Sequence, residues 1–113
     1  MTTIKVLKLI GTPNAILHPF GMEVYEAIIK ALQSEKKAAI DMKGIRNATS
    51  AFFHASVGNL YRELGESYFE QVNILGVEDR PDWKEKIKDS IELVKHPDRE
   101  TDTQLEIAAL FKN

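Results

Sequence analysis

The chain has 113 residues, enough for one domain, and its 43% apolar and 28% charged residues are typical of a globular protein. A formal net charge of −2 gives no overall field that favours nucleic acid or an anionic membrane, and the absence of cysteine excludes disulfides and thiolate chemistry. Because the sequence contains neither a membrane-spanning apolar run nor a signal-peptide core, we expect a cytoplasmic protein.

The first third of the chain predicts a β-hairpin followed by a helix. Ile4–Ile10 alternates and contains β-branched residues, which favours a strand. Turn residues follow at 11–14, and Ala15–Leu17 is predicted to return as a short second strand. His18–Gly21 is typical of a break, so we expect the helix to begin near Gly21. The predicted apolar stripe of this helix consists of Tyr25, Ile28, Ile29 and Leu32.

The middle of the chain predicts a buried strand, a polar loop and an amphipathic helix. The strand is predicted at Ala38–Met42 and the helix at about Ser50–Leu64, with Gly65 ending the helix in a left-handed conformation. The apolar residues of the helix lie at offsets of 0, 4, 7, 8 and 11, which places them on one helix face: Phe53, Val57, Leu60, Tyr61 and Leu64.

The remaining pattern predicts a strand at Gln71–Val77 and a helix at Pro81–His96, with Trp83, Ile87, Ile91 and Val94 on its apolar face. Residues 1–96 therefore predict one small α/β domain, with a three- or four-stranded mixed sheet and helices packed on it. Residues 97–113 are predicted to form a linker and a C-terminal helix or tail.

Polar side chains at the two ends of the loop are the first candidates for a functional site. Asp41 ends a strand, where its carboxylate could hold a metal, order the loop by accepting backbone N–H bonds, or simply terminate the strand. Thr49 and Ser50 lie where the helix begins. Each is therefore either an N-cap hydroxyl or a phospho-acceptor and partner contact.

Two further residues of the segment 47–53 are candidates for partner contact. Asn47 belongs to the polar loop, and Phe52 points about 100° away from Phe53 on a helix, so both rings need not be in the core. Small residues on another side of the helix would let a strand or a helix of another protein approach closely, and we expect the domain's own sheet to pack there: Ala51, Ala55 and Gly58.

No complete catalytic or metal-binding set occurs in the sequence. The three histidines have no metal-ligand spacing, and no phosphate-binding loop is present, so we expect no metal, no cofactor and no enzymatic activity. Ser50 and His54 have i, i+4 spacing. A small hydrolase that uses Asp41, His54 and Ser50 is an alternative, and it requires all three side chains to line one pocket.

The stretch DMKGIRNATSAFFHASVGNLYRELG resembles a family of STAS-like domains of unknown function. The resemblance rests on an acid, a glycine followed by an apolar residue, small hydroxyl residues, a phenylalanine and a Gly-x-Leu-Tyr segment. Here these are Asp41, Gly44, Ile45, Thr49, Ser50, Phe53, Gly58, Leu60 and Tyr61. With the flanking segments, it extends over about residues 4–95.

That family is similar to the STAS domains of anti-sigma factor antagonists, in which a histidine-kinase-type ATPase phosphorylates a serine at a helix start and then releases the domain. The resemblance implies that Asp41 is the strand-end acid and Ser50 the phosphorylatable serine. Thr49 replaces the usual acidic neighbour, and Ala51-Phe52 replaces the usual Ser-Gly. The resemblance thus implies a non-enzymatic, bacterial-type signalling module that switches partners. The alternative is an interaction subunit that forms a homodimer or a larger assembly through its C-terminal helix.

Overall fold

Two parallel sheets form the β structure of the domain. A computed structural model describes residues 1–97. The main sheet contains β1 (Thr2–Lys5), β3 (Ala38–Asp41) and β5 (Val72–Leu75), paired in the order β1-β3-β5. A second sheet pairs β2 (Asn14–Ala15) with β4 (Asn47–Ala48). The predicted α/β class is confirmed. The single mixed sheet of three or four strands is wrong, because there are two sheets and every pairing within residues 1–97 is parallel.

Residues 50–64 form one nearly continuous helical segment, which we call the central helix. It consists of α3 (Ser50–Phe53), a π-helical turn (His54–Gly58) and α4 (Asn59–Leu64). A 3₁₀ turn (Gly65–Ser67) joins it to a short helix, α5 (Tyr68–Gln71). The other helices of the described region are α1 (Val6–Ile10), α2 (His18–Leu32) and α6 (Pro81–Lys95).

One face of the main sheet packs against the helices, and the other face exposes side chains of its two edge strands while Ala39 of the central strand is buried. Ala38, Ile40 and Val72 are buried and belong to one core cluster with the apolar side chains of the helices. The opposite face exposes Thr3 and Asn73 in one cross-strand row. This alternation follows from the two-residue period of strands, and it gives a two-layer α/β arrangement.

The first part of the chain departs from its predicted structure. The predicted strand Ile4–Ile10 is extended only to Lys5 and continues as α1, which Gly11 ends at φ 74°. The predicted hairpin is wrong, because β2 pairs in parallel with β4. The predicted break is also wrong: α2 begins at His18, with Pro19 in the first turn, where a missing N–H costs nothing.

The other predicted elements are confirmed apart from a few terminal residues. These are β3, the central helix, β5 and α6, with Pro81 in the first turn of α6. Gly65 does end α4 at a positive φ of 61°, but its ψ of −144° is not left-handed helical. The predicted C-terminal helix lies outside the described residues.

The central helix lies between α2 and α6 and crosses α2 at very short range. A Cβ added to Gly21 of α2 would lie 2.4 Å from the carbonyl oxygen of Phe52 and 2.6 Å from the Cβ of Ala55. On the α6 side, a Cβ added to Gly58 would lie 3.7 Å from the carbonyl oxygen of Ser90. The close approach at Ala55 is therefore made by α2, a helix of the same domain, and not by the sheet expected there.

Side chains satisfy carbonyl groups around the π-helical turn. Ser56 donates from Oγ to the carbonyl of Phe52 at 2.9 Å, and Asn59 donates from Nδ2 to the carbonyl of Ala55 at 2.8 Å. A π turn inserts one residue, which shifts the helical phase by about 100°. The side chains of α4 are therefore rotated about the helix axis relative to the positions that an uninterrupted α-helix from α3 would give them.

An aromatic cluster closes the end of the central helix. Tyr61 packs against Tyr68 and Phe69, with ring centroids 6.2 and 5.8 Å apart. The hydroxyl of Tyr61 donates to Oε1 of Glu66 at 2.6 Å, and this bond, together with burial and the negative charge of Glu66, raises the pKa of Tyr61 to about 12. Burial raises the pKa of Tyr68 further still.

Replacing Gly21 with alanine is expected to destabilise the domain by about 2 kcal/mol, because the clash with backbone atoms outweighs the helix propensity gained by alanine. The free energy of unfolding from urea titration measures this effect. Glu26→Ala, on the exposed side of the same helix, is the matched control and should stay within about 0.5 kcal/mol of wild type. Equal stability of the Gly21→Ala protein would show that α2 does not cross the central helix this closely.

The stability of the domain is expected to fall as the pH rises from 10 towards 12. Over that interval the unfolded Tyr61 loses its proton while the folded one keeps it, so the unfolded state binds fewer protons and the free energy of unfolding decreases. Glu66→Gln should bring the pKa of Tyr61 towards 10, as measured by the ultraviolet absorbance of its phenolate. The exposed control Glu63→Gln should leave this titration unchanged, and a shift of equal size in both variants would exclude Glu66 as the cause.

Candidate functional site

The two-stranded sheet positions the loop that precedes the central helix. Asn47 donates from Nδ2 to Oδ1 of Asn14 at 2.7 Å, and the backbone N–H of Arg46 donates to the carbonyl of Pro13 at 2.8 Å. The backbone N–H of Thr49 donates to the carbonyl of Ala15 at 3.2 Å. Asn47 is exposed, but its amide group is used to join β4 to β2.

The hydroxyl of Thr49 has two structural functions. It accepts the backbone N–H of Phe52 at 3.3 Å, which makes Thr49 the N-cap of the central helix. It also donates to the carbonyl of Ile16 at 3.0 Å. One side chain therefore ties the helix start to the segment that follows β2, and of the two interpretations of Thr49 the geometry matches the N-cap.

Ser50 is the first residue of the central helix, and its side chain is exposed. It lies at the edge of a cavity of about 400 Å³ between the central helix and α6. The cavity is lined by Ser50, His54, Asp89, Glu92, Leu93 and His96. His96 and Glu92 lie 3.4 Å apart, measured from Nε2 to Oε2. The sequence interpretation missed the α6 residues, because a separation of about 40 positions gives no local signal.

Phe52 lies in the core and is not available for contact with a partner in this conformation. Its exposed fraction is 1%, and its ring packs edge-on against Phe53 with the centroids 5.2 Å apart. Phe53 in turn lies 6.5 Å from the Trp83 ring of α6. Because α2 and α6 pack on two sides of the central helix, adjacent residues are both buried, and the placement of Phe52 in a partner-binding surface is wrong.

Asp41 and Ser50 lie in different cavities. The Oδ1 atom of Asp41 accepts the backbone N–H of Lys43 at 2.9 Å. Of the roles considered for Asp41, this geometry matches the ordering of the loop. Asp41 lines a separate cavity at the end of the main sheet, whereas Ser50 and His54 line the cavity beside α6. The three side chains proposed for a hydrolase are thus not brought together.

Two exposed aliphatic residues and an arginine stacked on a buried tryptophan lie next to the helix start. Ile16 is 44% exposed and Leu17 is 52% exposed, immediately beside the carbonyl that receives the Thr49 hydroxyl. Arg80 lies 3.7 Å above the Trp83 ring and donates to the carbonyl of Arg46 at 2.9 Å. A cavity of about 450 Å³ joins these groups and is lined by Asn14, Ile16, Asn47, Ala48, Thr49, Arg80, Asp82 and Trp83.

Within residues 1–97, no group of three or more histidine, aspartate or glutamate side chains is placed to hold a metal ion. Across the same residues, no helix has both the length and the apolar character needed to cross a membrane.

Comparison with known proteins identifies the family. A family model described as a STAS-like domain of unknown function (DUF4325) matches residues 21–79, just over half of the chain. The chain belongs to this family. No curated protein and no solved structure matches it.

The matched segment of the STAS-like domain begins in α2 and ends after β5, so it contains Asp41, Thr49 and Ser50. It is shorter than the resemblance at 4–95, because β1, α1 and α6 lie outside it. The match establishes membership of the family, whose function is unknown, and leaves the role of each site residue to be tested.

Thr49→Ala is expected to lower the free energy of unfolding of the STAS-like domain by about 1–2 kcal/mol, because it removes the cap and the bond to Ile16 together. Thr49→Ser should retain most of the stability. The adjacent Ser50→Ala, at an exposed side chain, is the control and should change stability by less than about 0.5 kcal/mol. Urea unfolding measures all three, and equal losses at positions 49 and 50 would contradict this division of roles.

Proposed function

We propose that the domain is a non-enzymatic regulatory module that binds a protein partner, a histidine-kinase-type ATPase, through the surface around residues 47–50. A group added to the Ser50 hydroxyl controls that binding. The observation that carries the proposal is the contrast between neighbouring hydroxyls. Thr49 is fully engaged in the fold, whereas Ser50 is exposed at the first position of the central helix.

This contrast allows a modification to change the surface without unfolding the domain. A phosphate on Ser50 would lie near the first-turn N–H groups of the central helix, where negative charge is favourable. The helix would therefore tolerate the added group. A switch of this kind has little cost in folding free energy.

The same phosphate would change what a partner meets. It would bring a dianion to a cavity that is lined by the carboxylates of Asp89 and Glu92 and by the side chains of His54 and His96. A partner that covers Ser50 would have to desolvate this charge, which is unfavourable in an apolar or acidic interface. The exposed side chains of Ile16 and Leu17, on the other side of the helix start, supply the apolar part of such an interface.

The test is binding to candidate histidine-kinase-type ATPases, measured by titration calorimetry. Wild type and Ser50→Ala are expected to bind alike, and Ser50→Asp is expected to bind at least about tenfold more weakly, because its charge acts as the phosphate would. Incubation with the ATPase and MgATP should add phosphate to wild type but not to Ser50→Ala, as measured by mass spectrometry.

Ser34→Asp is the matched control, because Ser34 is also exposed and the change in charge is the same. It should bind like wild type. Equal binding by wild type, Ser50→Ala and Ser50→Asp would exclude Ser50 as the switch, and an equal loss in Ser34→Asp would attribute the effect to net charge.

A further inference from the structure

The cavity that Asp41 lines lies outside the carboxyl ends of β1 and β3. It shares no lining residue with the cavity beside Ser50. Its volume is about 700 Å³, within the range of roughly 300–1,000 Å³ that is usual for small-molecule sites. It is lined by Lys5, Leu7, Lys8, Gly11, Asp41 and Lys43.

The strand register explains why charged groups meet there. Lys5 is the last residue of β1 and pairs with Asp41, the last residue of β3. Side chains paired across parallel strands lie on the same face of the sheet. Lys8 comes from α1, one turn beyond β1, and Lys43 comes from the loop after β3.

The backbone of this cavity is rigid. Three hydrogen bonds fix the loop after β3. The backbone N–H of Met42 donates to the carbonyl of Leu75 at 2.9 Å, and that of Ile45 donates to the carbonyl of Met42 at 3.0 Å. The backbone N–H of Lys43 donates to the carboxylate of Asp41. Gly44 has a φ of 89°, and a Cβ added there would lie 2.8 Å from Cδ2 of Leu7. The positive φ of Gly44 is a backbone conformation that L side chains rarely adopt, so this turn favours glycine.

The cavity has the opposite charge to the whole chain. Three ammonium groups and one carboxylate give the lining a formal charge of about +2 at neutral pH, against −2 for the chain. None of these three lysines forms an ion pair with another group in residues 1–97. The three lysines are exposed at the rim of the cavity, and their excess of positive charge over the single carboxylate attracts anions.

The side chains that donate hydrogen bonds in the lining indicate which class of anion the cavity binds. Arginine is the side chain suited to planar, two-point recognition of a carboxylate, and the lining contains none. Lysine binds phosphate as a compact point charge, and three such charges match a group with several negative charges in a small volume.

We propose that this cavity binds a soluble small molecule that carries two or more linked phosphate groups, held by Lys5, Lys8 and Lys43. Asp41 positions Lys43 through its backbone N–H and limits the net charge of the lining. The proposal does not depend on Ser50.

The test is titration calorimetry of the full chain with inorganic pyrophosphate, at an ionic strength held constant with potassium chloride. One saturable site is expected. The double variant Lys5→Gln/Lys43→Gln should weaken binding by about tenfold or more, because it removes two charge-assisted contacts. Amide shifts in the nuclear magnetic resonance spectrum should be concentrated at the carboxyl ends of β1 and β3.

Lys84→Gln/Lys88→Gln is the matched control, because it removes the same two charges from exposed positions of α6. It should weaken binding by less than about twofold. The proposal is overturned if wild type shows no saturable binding, or if both double variants lose affinity equally. Binding to phosphatidylserine vesicles without binding to pyrophosphate would also overturn it, in favour of a lipid surface.

Discussion

The close crossing of α2 over the central helix is the constraint on which the arrangement of this domain depends. Gly21 brings α2 against the backbone of Phe52 and the side chain of Ala55, with no room for a Cβ between them. With α6 on the other side, Phe52 and Phe53 are both buried, and the exposed residues at the helix start are Ser50 and Ala51. The surface offered to a partner is thus set by helix packing as much as by the loop.

The polar residues of the segment between β3 and the central helix have separate functions. Asp41 orders the loop after β3 and belongs to the lysine-lined cavity. Thr49 links the central helix to the segment after β2, and Asn47 links the two strands of the small sheet. Ser50 is left as the exposed hydroxyl, which is why the proposed switch is assigned to it. A group added there changes a surface without removing a bond that the fold needs.

Much of the fold could be predicted because its signals are local. The apolar run that opens Ala38–Asp41, the helical spacing from Phe53 to Leu64, and Pro81 at the start of α6 each depend on neighbouring residues. The wrong predictions occur where the residues in contact are far apart in the sequence. Ala15 pairs with Ala48, and Leu7 of α1 packs against Gly44; neither contact changes the local pattern. The residues from α6 that line the cavity beside Ser50 were missed for the same reason.

The sequence by itself determined the α/β class, the family, and the placement of a hydroxyl pair at a helix start, because periodicity, turn residues and family patterns are written along the chain. The tertiary structure alone decided that Thr49 is engaged while Ser50 is exposed, that Phe52 is in the core, and that three lysines meet beside Asp41. The physical reason is that burial and charge clustering depend on which distant segments pack together, and residue spacing does not encode that pairing.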